Sequence, residues 1–243
     1  MIMRVVIYNQ MFGLNGKSFW ASILGHYRLH FSYDSGRFWE MTDINRTVEI
    51  VKKSGADVVG ICEILQGQEE ELKSKLKKIG YNYIYFGEGH RTKFRNLQIK
   101  VAIASKIRCK KEYIGKEPVE NKLGGGGGFV DCYFPSLKLN IMCVHLGMRK
   151  LLREKQIKFL KNHLKKKEKF ILLGDFNCCF DKLGNLPHLS LVSNRIKTCS
   201  LTPVLKWFFW KDCDHIFARK LKINNIGFLE GYSDHRLIWA DLE

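Results

Sequence analysis

Proline and long apolar runs are both scarce in this chain of 243 residues. Only four prolines are present, and no Pro-rich or Ser-rich tract interrupts the sequence. The chain therefore offers no linker between domains, and we predict a single domain over residues 1–243 that buries roughly 70–75% of its unfolded surface. No segment approaches the ~18 consecutive apolar residues of a membrane span, which predicts a protein without stable membrane insertion.

The N-terminus lacks three features of a secretory signal. It has no basic start, no long apolar region and no small-residue cleavage site. Cysteines number eight, but none forms a CxxC pair, and only Cys178 and Cys179 are adjacent. Structural zinc sites usually take their ligands from closely spaced pairs of cysteines, so the cysteine spacing argues against such a site. A chain of this length can form a hydrophobic core and needs no disulfide framework. We predict an intracellular, cytoplasmic protein with reduced thiols, and we expect a monomer.

Acidic residues are much fewer than basic residues in this chain. The chain has 24 Asp and Glu against 41 Lys and Arg, which gives a formal net charge of +17. Such an excess favours phosphate-rich polymers or anionic surfaces as partners and disfavours a strongly cationic substrate. The hydrophobic fraction of 45% is ordinary for a globular protein. We therefore predict a polyanionic partner and prefer nucleic acid to a membrane surface.

Short apolar runs with the length of β-strands recur along the whole chain. They cover residues 4–8, 57–62, 81–86, 100–105, 128–134, 139–144, 169–173, 214–218 and 236–240. Apolar residues at helical spacing predict three helices, over residues 42–55, 68–79 and 149–167, the first with a cap at Thr42 or Asp43 and a stop at Gly55. This pattern predicts a mixed α/β chain with sheets packed on each other and helices outside.

A run of five glycines precedes one predicted strand. Gly124–Gly128 is followed by the strand-like FVDCYF, whereas a phosphate-binding loop needs a following helix N-terminus. We therefore predict a flexible hairpin or the start of a strand at this run.

Polar side chains able to do chemistry stand where several predicted strands end or begin. Each alone is commonly a turn residue or a cap, but their order along the chain is specific. They are Asn9, Glu63, His145, Asp175, Asn177, Asp234 and His235. A sheet can hold such residues around a shared opening, so we expect them to form one site.

This ordered set resembles the endonuclease/exonuclease/phosphatase superfamily, which is deoxyribonuclease I-like. The motifs span nearly the whole chain and read YNQMFG, DVVGICE, VHLG, LLGDFN, DHIFA and SDHRLI. The resemblance implies a four-layered α/β sandwich, in which two mixed β-sheets pack face to face with helices on the outside. Members include deoxyribonuclease I, abasic-site endonucleases, tyrosyl-DNA phosphodiesterases, deadenylases, sphingomyelinases and inositol-phosphate phosphatases.

A metal site is part of what the resemblance implies. Glu63 matches the principal Mg²⁺ ligand of the family, while Asn9 and Asp234 match positions that help hold the ion or its waters. Carboxylate and amide oxygens suit Mg²⁺, which keeps several waters and meets substrate phosphate oxygens. We expect Mg²⁺ as the cofactor and Mn²⁺ as a substitute.

The resemblance also implies catalytic roles. Asp175 matches the residue that orients or deprotonates the attacking water, and Asn177 matches the donor that steadies the pentacovalent phosphorus. His145 and His235 match phosphate-contacting histidines, and Asp214 matches the carboxylate that orients His235. The implied reaction is in-line attack of water on phosphorus. Whether the Asp or a His acts as general base stays open.

Some positions depart from the family. Cys62 stands where a Gln often precedes the metal-binding Glu, and Met11 and Leu65 stand where abasic-site endonucleases carry Asp and Lys. These departures disfavour an abasic-site enzyme. The histidine of VHLG is typical of the deoxyribonuclease, deadenylase, tyrosyl-phosphodiesterase and sphingomyelinase branches instead.

Three segments are candidates for substrate binding. Residues 14–41 interleave aromatic with basic side chains, which suits base stacking or, equally, a packed excursion with its own small core. Arg95 and Asn96 lie in a basic turn that either lines the phosphate track or is simply solvated. Trp207 and Trp210, in KWFFWK, either stack on nucleotides, enter a bilayer interface or belong to the core.

The resemblance implies a Mg²⁺-dependent phosphodiesterase. The leading hypothesis is an intracellular nuclease acting on DNA or RNA, as an endonuclease or an exonuclease. The first alternative is a phospholipid, sphingomyelin-type or inositol-phosphate phosphoesterase, which would share the same chemistry. The second alternative is a nucleic-acid-binding module without catalysis.

Overall fold

Two mixed β-sheets form the centre of the protein. The computed structural model describes residues 2–31, 38–92, 96–113, 115, 117–120, 124–183, 186, 189–199 and 211–243. The strands of these residues are β1 (Met3–Asn9), β2 (Val58–Leu65), β3 (Tyr83–Arg91), β4 (Gln98–Ser105), β5 (Lys110–Glu112), β6 (Gly128–Phe134), β7 (Leu139–His145), β8 (Phe170–Asp175), β9 (Ser190–Leu191), β10 (Asp214–Arg219), β11 (Ile223–Leu229) and β12 (Leu237–Leu242). The helices are α1 (Phe19–Phe31), α2 (Ile44–Ser54), α3 (Glu69–Lys78) and α4 (Lys150–Leu164).

Each sheet has six strands and one parallel pair. The first sheet has the order β11-β12-β1-β2-β4-β3, and the second has the order β5-β6-β7-β8-β10-β9. The pairs β1–β2 and β7–β8 are parallel, and the other pairs are antiparallel. A parallel pair needs a crossover connection, and helices provide it: α1 and α2 lie between β1 and β2 in the chain, and α4 lies between β7 and β8.

The central strands are apolar on both faces because each face is covered. In β1, Val5 and Ile7 belong to the core between the two sheets, while Val6 and Tyr8 pack on the outer face with residues of α2 and α3. The other sheet buries its outer face against α4 in the same way. These four layers, helices–sheet–sheet–helix, confirm the predicted α/β sandwich.

Local signals placed three helices correctly. The Asp43 side chain accepts a hydrogen bond from the backbone N–H of Asn45, and Gly55, with φ of 66°, ends α2 in the left-handed conformation. The second predicted helix is α3, and the third is α4, which ends three residues before the predicted boundary at residue 167. None of the described helices has the length and apolar character needed to cross a membrane.

Residues 14–41 contain a helix that the sequence pattern did not predict. Leu14 and Leu29 are buried together with Phe12 and Phe38 in a separate small cluster, against which Trp39 packs. Of the two hypotheses for this segment, the structure therefore supports a packed excursion with its own core.

The glycine run is packed rather than loose. Gly128 begins β6, which confirms the start of a strand. The N–H of Gly127 donates to the carbonyl of His145 at 3.0 Å, and the N–H of His90 donates to the carbonyl of Gly126 at 3.1 Å. The run therefore lies tightly between the ends of β3 and β7.

Candidate active site

Residues at the strand ends line one cavity of about 560 Å³. Six of the residues singled out in the sequence lie on its wall: Glu63, His145, Asp175, Asn177, Asp234 and His235. Asn9 and Asp214 are buried directly behind them, each hydrogen-bonded to one of the six. The two sheets thus bring together all eight predicted catalytic and metal-site residues, although they are spread over more than two hundred positions of the chain.

Asp175, at the end of β8, lies at the centre of the cluster. Its Oδ1 accepts a hydrogen bond from the backbone N–H of Asn177 at 2.8 Å, and its Oδ2 accepts one from Asn9 Nδ2 at 3.0 Å. The Nε2 atoms of His145 and His235 lie 3.7 Å and 4.0 Å from the same Oδ2. The carboxylate is therefore fixed in orientation and flanked by two imidazoles.

Half-buried His235 and buried Asp214 form a hydrogen-bonded pair. The distance from His235 Nδ1 to Asp214 Oδ2 is 2.7 Å, and a carboxylate can only accept, so the imidazole carries its proton on Nδ1. Burial alone would lower the pKa of His235, but the carboxylates of Asp214 and Asp234 outweigh it and hold that pKa well above its ordinary value. The raised pKa of His235 therefore favours its protonated form, and its Nε2 faces the cavity beside Asp175.

Glu63 has an unusual backbone. Its φ of 57° is left-handed, and the pairing of β2 with β4 shifts register between Ile61 and Ile64. Its Oε1 lies 3.7 Å from His145 Nε2. Burial, followed by the nearby charge of Asp234, raises the pKa of Glu63 to about 8.

His145, at the end of β7, is closely packed. Burial lowers the pKa of this histidine to about 4, so its imidazole is neutral near pH 7. The ring lies against Gly127, where a Cβ atom would come within 2.6 Å of Nδ1. Only glycine fits at that position without displacing the ring.

Two asparagines hold the backbone and the central carboxylate in place. Asn9 Oδ1 accepts a hydrogen bond from the N–H of Met11 at 3.0 Å, while its Nδ2 binds Asp175. Both ends of the Asn9 amide are therefore engaged by the protein. Asn177 has a left-handed φ of 51°, and its Nδ2 donates to the carbonyl of Leu146 at 2.8 Å.

Two groups of side chains could hold a metal ion. In the first, ligand atoms of Glu63, His145 and Asp175 all lie within 4.8 Å of one another, and in the second, those of Asp175, Asp214 and His235 do so. Among the described residues, Asp175 is the member common to both groups. Asp234 belongs to neither of these described groups, but it lies on the same cavity wall, and its charge contributes to the raised pKa of Glu63.

The four residues predicted to bind substrate are not found at the cavity among the described residues. Arg95, Trp207 and Trp210 lie outside the described residues. Asn96 is exposed in the turn between β3 and β4, and it is not among the described residues that line the cavity. The structure thus does not bring this residue to the site.

The cavity wall includes residues that sequence reasoning missed. They are Phe12, His26, His90, Ile99, Met148, Arg153, Cys178, Cys179, Cys199, Lys211 and Cys213, together with Gly124 and Gly126. His90 stands near the end of β3, so the same strand-end argument could have found it. His26 lies within α1, and no motif or strand end marked it.

The sequence and the fold both match known proteins. A model of the Endonuclease/Exonuclease/phosphatase family matches residues 39–235. An endonuclease/exonuclease/phosphatase from Beutenbergia cavernae is 15% identical with a TM-score of 0.69, and the match covers 100% of this chain and 71% of that chain. Humanized D. rerio TDP2 is 16% identical with a TM-score of 0.66, covering 100% and 99% of the two chains.

A further solved structure is that of ANGEL2, described as a 2′,3′-cyclic phosphatase. It is 14% identical with a TM-score of 0.66, and the match covers 100% of this chain and 95% of that chain. No curated protein matches the sequence significantly. At these identities the likeness to solved structures shows the fold, and the family match rests on the sequence itself.

Proposed function

The chain belongs to the endonuclease/exonuclease/phosphatase family, whose members hydrolyse phosphoester bonds, and we propose that it is a Mg²⁺-dependent phosphodiesterase acting on nucleic acid. The observation that carries the proposal is the convergence of two carboxylate–histidine groups on Asp175 within one cavity. Phosphoryl transfer needs an oriented water, a proton donor and positive charge near the phosphoryl oxygens. This cluster contains side chains that could orient the water, donate the proton and provide the positive charge.

Glu63 and Asp234 would hold the cation. Both are carboxylates at the cavity wall, and Mg²⁺ prefers such oxygen ligands. When bound, the ion would neutralise charge on the phosphoryl oxygens. Asn9 would support the site from behind, because its amide binds both Asp175 and the backbone of Met11.

Asp175 would orient the attacking water and accept its proton. Each of its two oxygens already accepts one hydrogen bond, which leaves one acceptor site on each. His235 is held by Asp214 and has a raised pKa, which suits it to donate a proton. Asp175, whose two oxygens each keep an acceptor site, therefore suits the role of general base better than its neighbour does.

His235 would act as a proton donor or as a positive charge beside the phosphate. Asp214 fixes the ring through Nδ1, so that Nε2–H faces the cavity. The neutral His145 would contribute a hydrogen bond to a phosphoryl oxygen. Asn177 is held by the carbonyl of Leu146 and lies beside both groups on the cavity wall.

Charge supports a nucleic-acid substrate. The chain carries a formal net charge of +17, and Arg153 and Lys211 stand on the cavity wall beside the catalytic cluster. Among the structural relatives, ANGEL2 has been solved with adenosine-2′,3′-vanadate, a nucleoside carrying a phosphate mimic. A polyanionic substrate would meet complementary charge at this opening.

A substrate panel tests the proposal. Purified protein with Mg²⁺ or Mn²⁺ is assayed against duplex DNA, single-stranded DNA, RNA, 5′-tyrosyl DNA, inositol phosphates and sphingomyelin. We expect cleavage of nucleic acid, reduced by at least about 100-fold in Glu63→Gln and in His235→Ala. Glu70→Gln, which makes the same change on an exposed side chain of α3, is the matched control and should retain activity.

Three outcomes would contradict the proposal. Release of a lipid headgroup with inert DNA and RNA would make the protein a lipid phosphodiesterase. Salt-dependent retention of nucleic acid without any product would make it a binding module. Full activity of Glu63→Gln would refute the site itself.

A further inference from the structure

Two cysteines on the cavity wall are in contact with each other. The thiol of Cys199 donates to Sγ of Cys213, and the two sulfur atoms lie 2.6 Å apart. Both residues line the cavity that holds Asp175, and all eight cysteines of the chain are free thiols. A disulfide bond is about 2.05 Å long, so these two sulfurs have to approach by only about 0.5 Å to become bonded.

Solvent reaches this pair of thiols through the cavity. Cys199 is half-buried and Cys213 is 7% exposed, so the sulfur of Cys199 is the one that an oxidant meets first. Four other thiols are buried in the core between the two sheets, at Cys62, Cys109, Cys132 and Cys143. Cys178 and Cys179 also line the cavity and are therefore the competing thiols.

Cys213 is connected to the carboxylates of the candidate active site. It directly precedes Asp214, whose Oδ2 lies 2.7 Å from His235 Nδ1. The carbonyl of Cys213 accepts a hydrogen bond at 2.8 Å from the N–H of Phe176, the residue that follows Asp175. A movement of Cys213 therefore shifts the carboxylate that orients His235.

Cys199 is connected to the histidine of the same pair. Its backbone forms an antiparallel bridge with that of His235. The preceding residue, Thr198, accepts a hydrogen bond from the N–H of Arg236 at 2.8 Å through its carbonyl. Its Oγ1 accepts a second one, at 3.0 Å, from the N–H of Asp214. A movement of either cysteine therefore changes the placement of His235 relative to Asp214.

We propose that Cys199 and Cys213 are an oxidative modification site, at which a peroxide converts the two thiols to a disulfide that reversibly lowers hydrolysis in the cavity. The loss of hydrolysis rests on the proposed function, whereas the formation of the bond does not. Disulfides that form in reducing compartments are usually transient and either catalytic or redox-sensing, and the proposed bond is of the second kind.

The reaction consumes one molecule of peroxide in two steps. The thiolate of Cys199 attacks one oxygen of hydrogen peroxide and the O–O bond breaks, which leaves a sulfenic acid and a hydroxide that takes up the thiol proton to form water. The sulfur of Cys213 then attacks the sulfenic sulfur, the S–O bond breaks, and the hydroxyl group leaves with the Cys213 proton as a second water. The two thiols thus lose two electrons, which the peroxide gains.

The first step is slow at neutral pH. The hydrogen bond to Cys213 lowers the pKa of the Cys199 thiol, but burial and the nearby carboxylates outweigh it and raise that pKa above its ordinary value. The thiolate, which is the nucleophile, is therefore scarce at pH 7. We expect the bond to form only under a sustained excess of peroxide, and a dithiol to reverse it by thiol–disulfide exchange.

The approach of the two sulfurs sets the size of the expected loss. Misplacement of a catalytic group by about 1 Å costs up to 10²-fold in rate, so an approach of about 0.5 Å should lower kcat by about 3-fold to 10-fold. Each sulfur is joined through backbone contacts to one member of the Asp214–His235 pair, so the loss arises whichever of the two moves.

The experiment treats the full chain with hydrogen peroxide, stops the reaction with catalase and measures three quantities. Titration of free thiols in denaturant should show the loss of two of the eight thiols. Peptide mass spectrometry without reduction should identify Cys199 and Cys213 as the linked pair. The kcat on nucleic acid should fall as stated and recover after dithiothreitol.

Serine variants separate this pair from the competing thiols. Cys199→Ser and Cys213→Ser should each prevent the bond and bring the ratio of oxidised to reduced kcat close to that of an insensitive enzyme. Cys179→Ser makes the same change at another half-buried thiol of the cavity wall, and as the matched control it should keep both the bond and the loss of kcat. Because each ratio compares two forms of one variant, a change in basal kcat does not affect it.

Several results would overturn the proposal. A bond that involves Cys178 or Cys179, or thiols that all stay free, would refute the assigned site. A bond between Cys199 and Cys213 with an unchanged kcat would refute its effect on hydrolysis. A bond that excess dithiothreitol leaves intact in the folded protein would make it a structural disulfide.

The failures of the two proposals can be told apart. A protein that forms the bond but hydrolyses no substrate in either redox state would refute the catalytic proposal, and with it the effect on hydrolysis, and would keep the modification site. A protein that cleaves nucleic acid equally before and after peroxide, with all thiols free, would refute the modification site and keep the catalytic proposal.

Discussion

Gly127 is predicted to act on catalysis through His145, which it touches. A Cβ atom at this position would lie 2.6 Å from Nδ1 of the imidazole and 3.2 Å from its Cβ and Cγ. The backbone cannot withdraw easily, because the N–H of Gly127 donates to the carbonyl of His145 at 3.0 Å. In Gly127→Ala the imidazole must therefore be displaced.

The size of that displacement sets the expected loss. An ordinary non-bonded contact is about 3.5 Å, so the ring has to move by about 0.9 Å. Misplacement of a catalytic group by about 1 Å costs up to 10²-fold in rate. We expect the kcat of Gly127→Ala to fall by about 10-fold to 100-fold in steady-state assays on nucleic acid, while circular dichroism and the unfolding midpoint show a folded protein.

Two comparisons make this prediction refutable. Gly55→Ala places a methyl group where no atom lies within 4 Å, at a φ of 66°, so it should lower stability by about 1 kcal/mol and leave kcat unchanged. In a His145→Ala background, adding Gly127→Ala should cost little further activity, because the ring it displaces is gone. Full activity of Gly127→Ala, or an equal loss in both backgrounds, would show that the reasoning is wrong.

Three further predictions concern the site and the stability of the fold. Asp214→Asn should lower kcat by about 10²-fold to 10⁴-fold in steady-state assays, because the amide no longer fixes the tautomer of His235 that carries its proton on Nδ1. Adding His235→Ala to this variant should lower kcat little further. Glu63→Gln should weaken Mn²⁺ binding at least about 10-fold by calorimetry, and chelation should stop hydrolysis by the wild type until Mg²⁺ is restored. Arg4 binds both carboxylate oxygens of Asp241, at 2.7 Å and 2.9 Å, and lowers the pKa of that carboxyl. This pair stabilises the fold at pH values above the pKa of Asp in the unfolded chain, and the stabilisation is lost as the pH falls through the pKa of Asp241 in the folded protein. In urea unfolding, Asp241→Asn should therefore lower the free energy of unfolding by about 1 kcal/mol at pH 7 and by less at pH 3.

The parts of the fold that the sequence predicted are those with local signals. Asp43 and Gly55 mark α2 because capping and left-handed φ are properties of single residues. Helix α1 is held by the burial of Leu29 in one cluster with Phe38, a tertiary contact that no local rule contains. Strand β11 was missed because its exposed and half-buried residues give no continuous apolar run.

The predicted catalytic and metal-site residues were found because they stand at strand ends. Parallel strands place their carboxyl ends at one edge, so His145 and Asp175 become neighbours directly from β7 and β8, and they pair in register. His26 reaches the same cavity from a helix, and its place depends on how α1 packs. Predicting it would have required the tertiary structure of residues 14–41.

Glu63 shows why the alternation of inward and outward side chains along a strand could not by itself predict the geometry of the site. Cys62 belongs to the core between the sheets, while Ile61 and Ile64 both pack on the outer face of their sheet. Residues three apart in a regular strand face opposite sides, so one residue between them must leave the pleat. That residue lies in the left-handed region at a φ of 57°, which costs about 1–3 kcal/mol in a residue other than glycine.

The surrounding contacts hold that strained conformation. On one side the side chain of Gln10 donates to the Glu63 carbonyl at 3.3 Å, and on the other the ladder resumes with Ile64 opposite Lys100. The sequence pattern predicted a strand that stops at residue 62, whereas β2 continues to Leu65. Because the bulge lies within a continuing strand, the carboxylate of Glu63 points into the cavity from a rigid ladder instead of from a loop, and such rigidity is what a metal ligand requires.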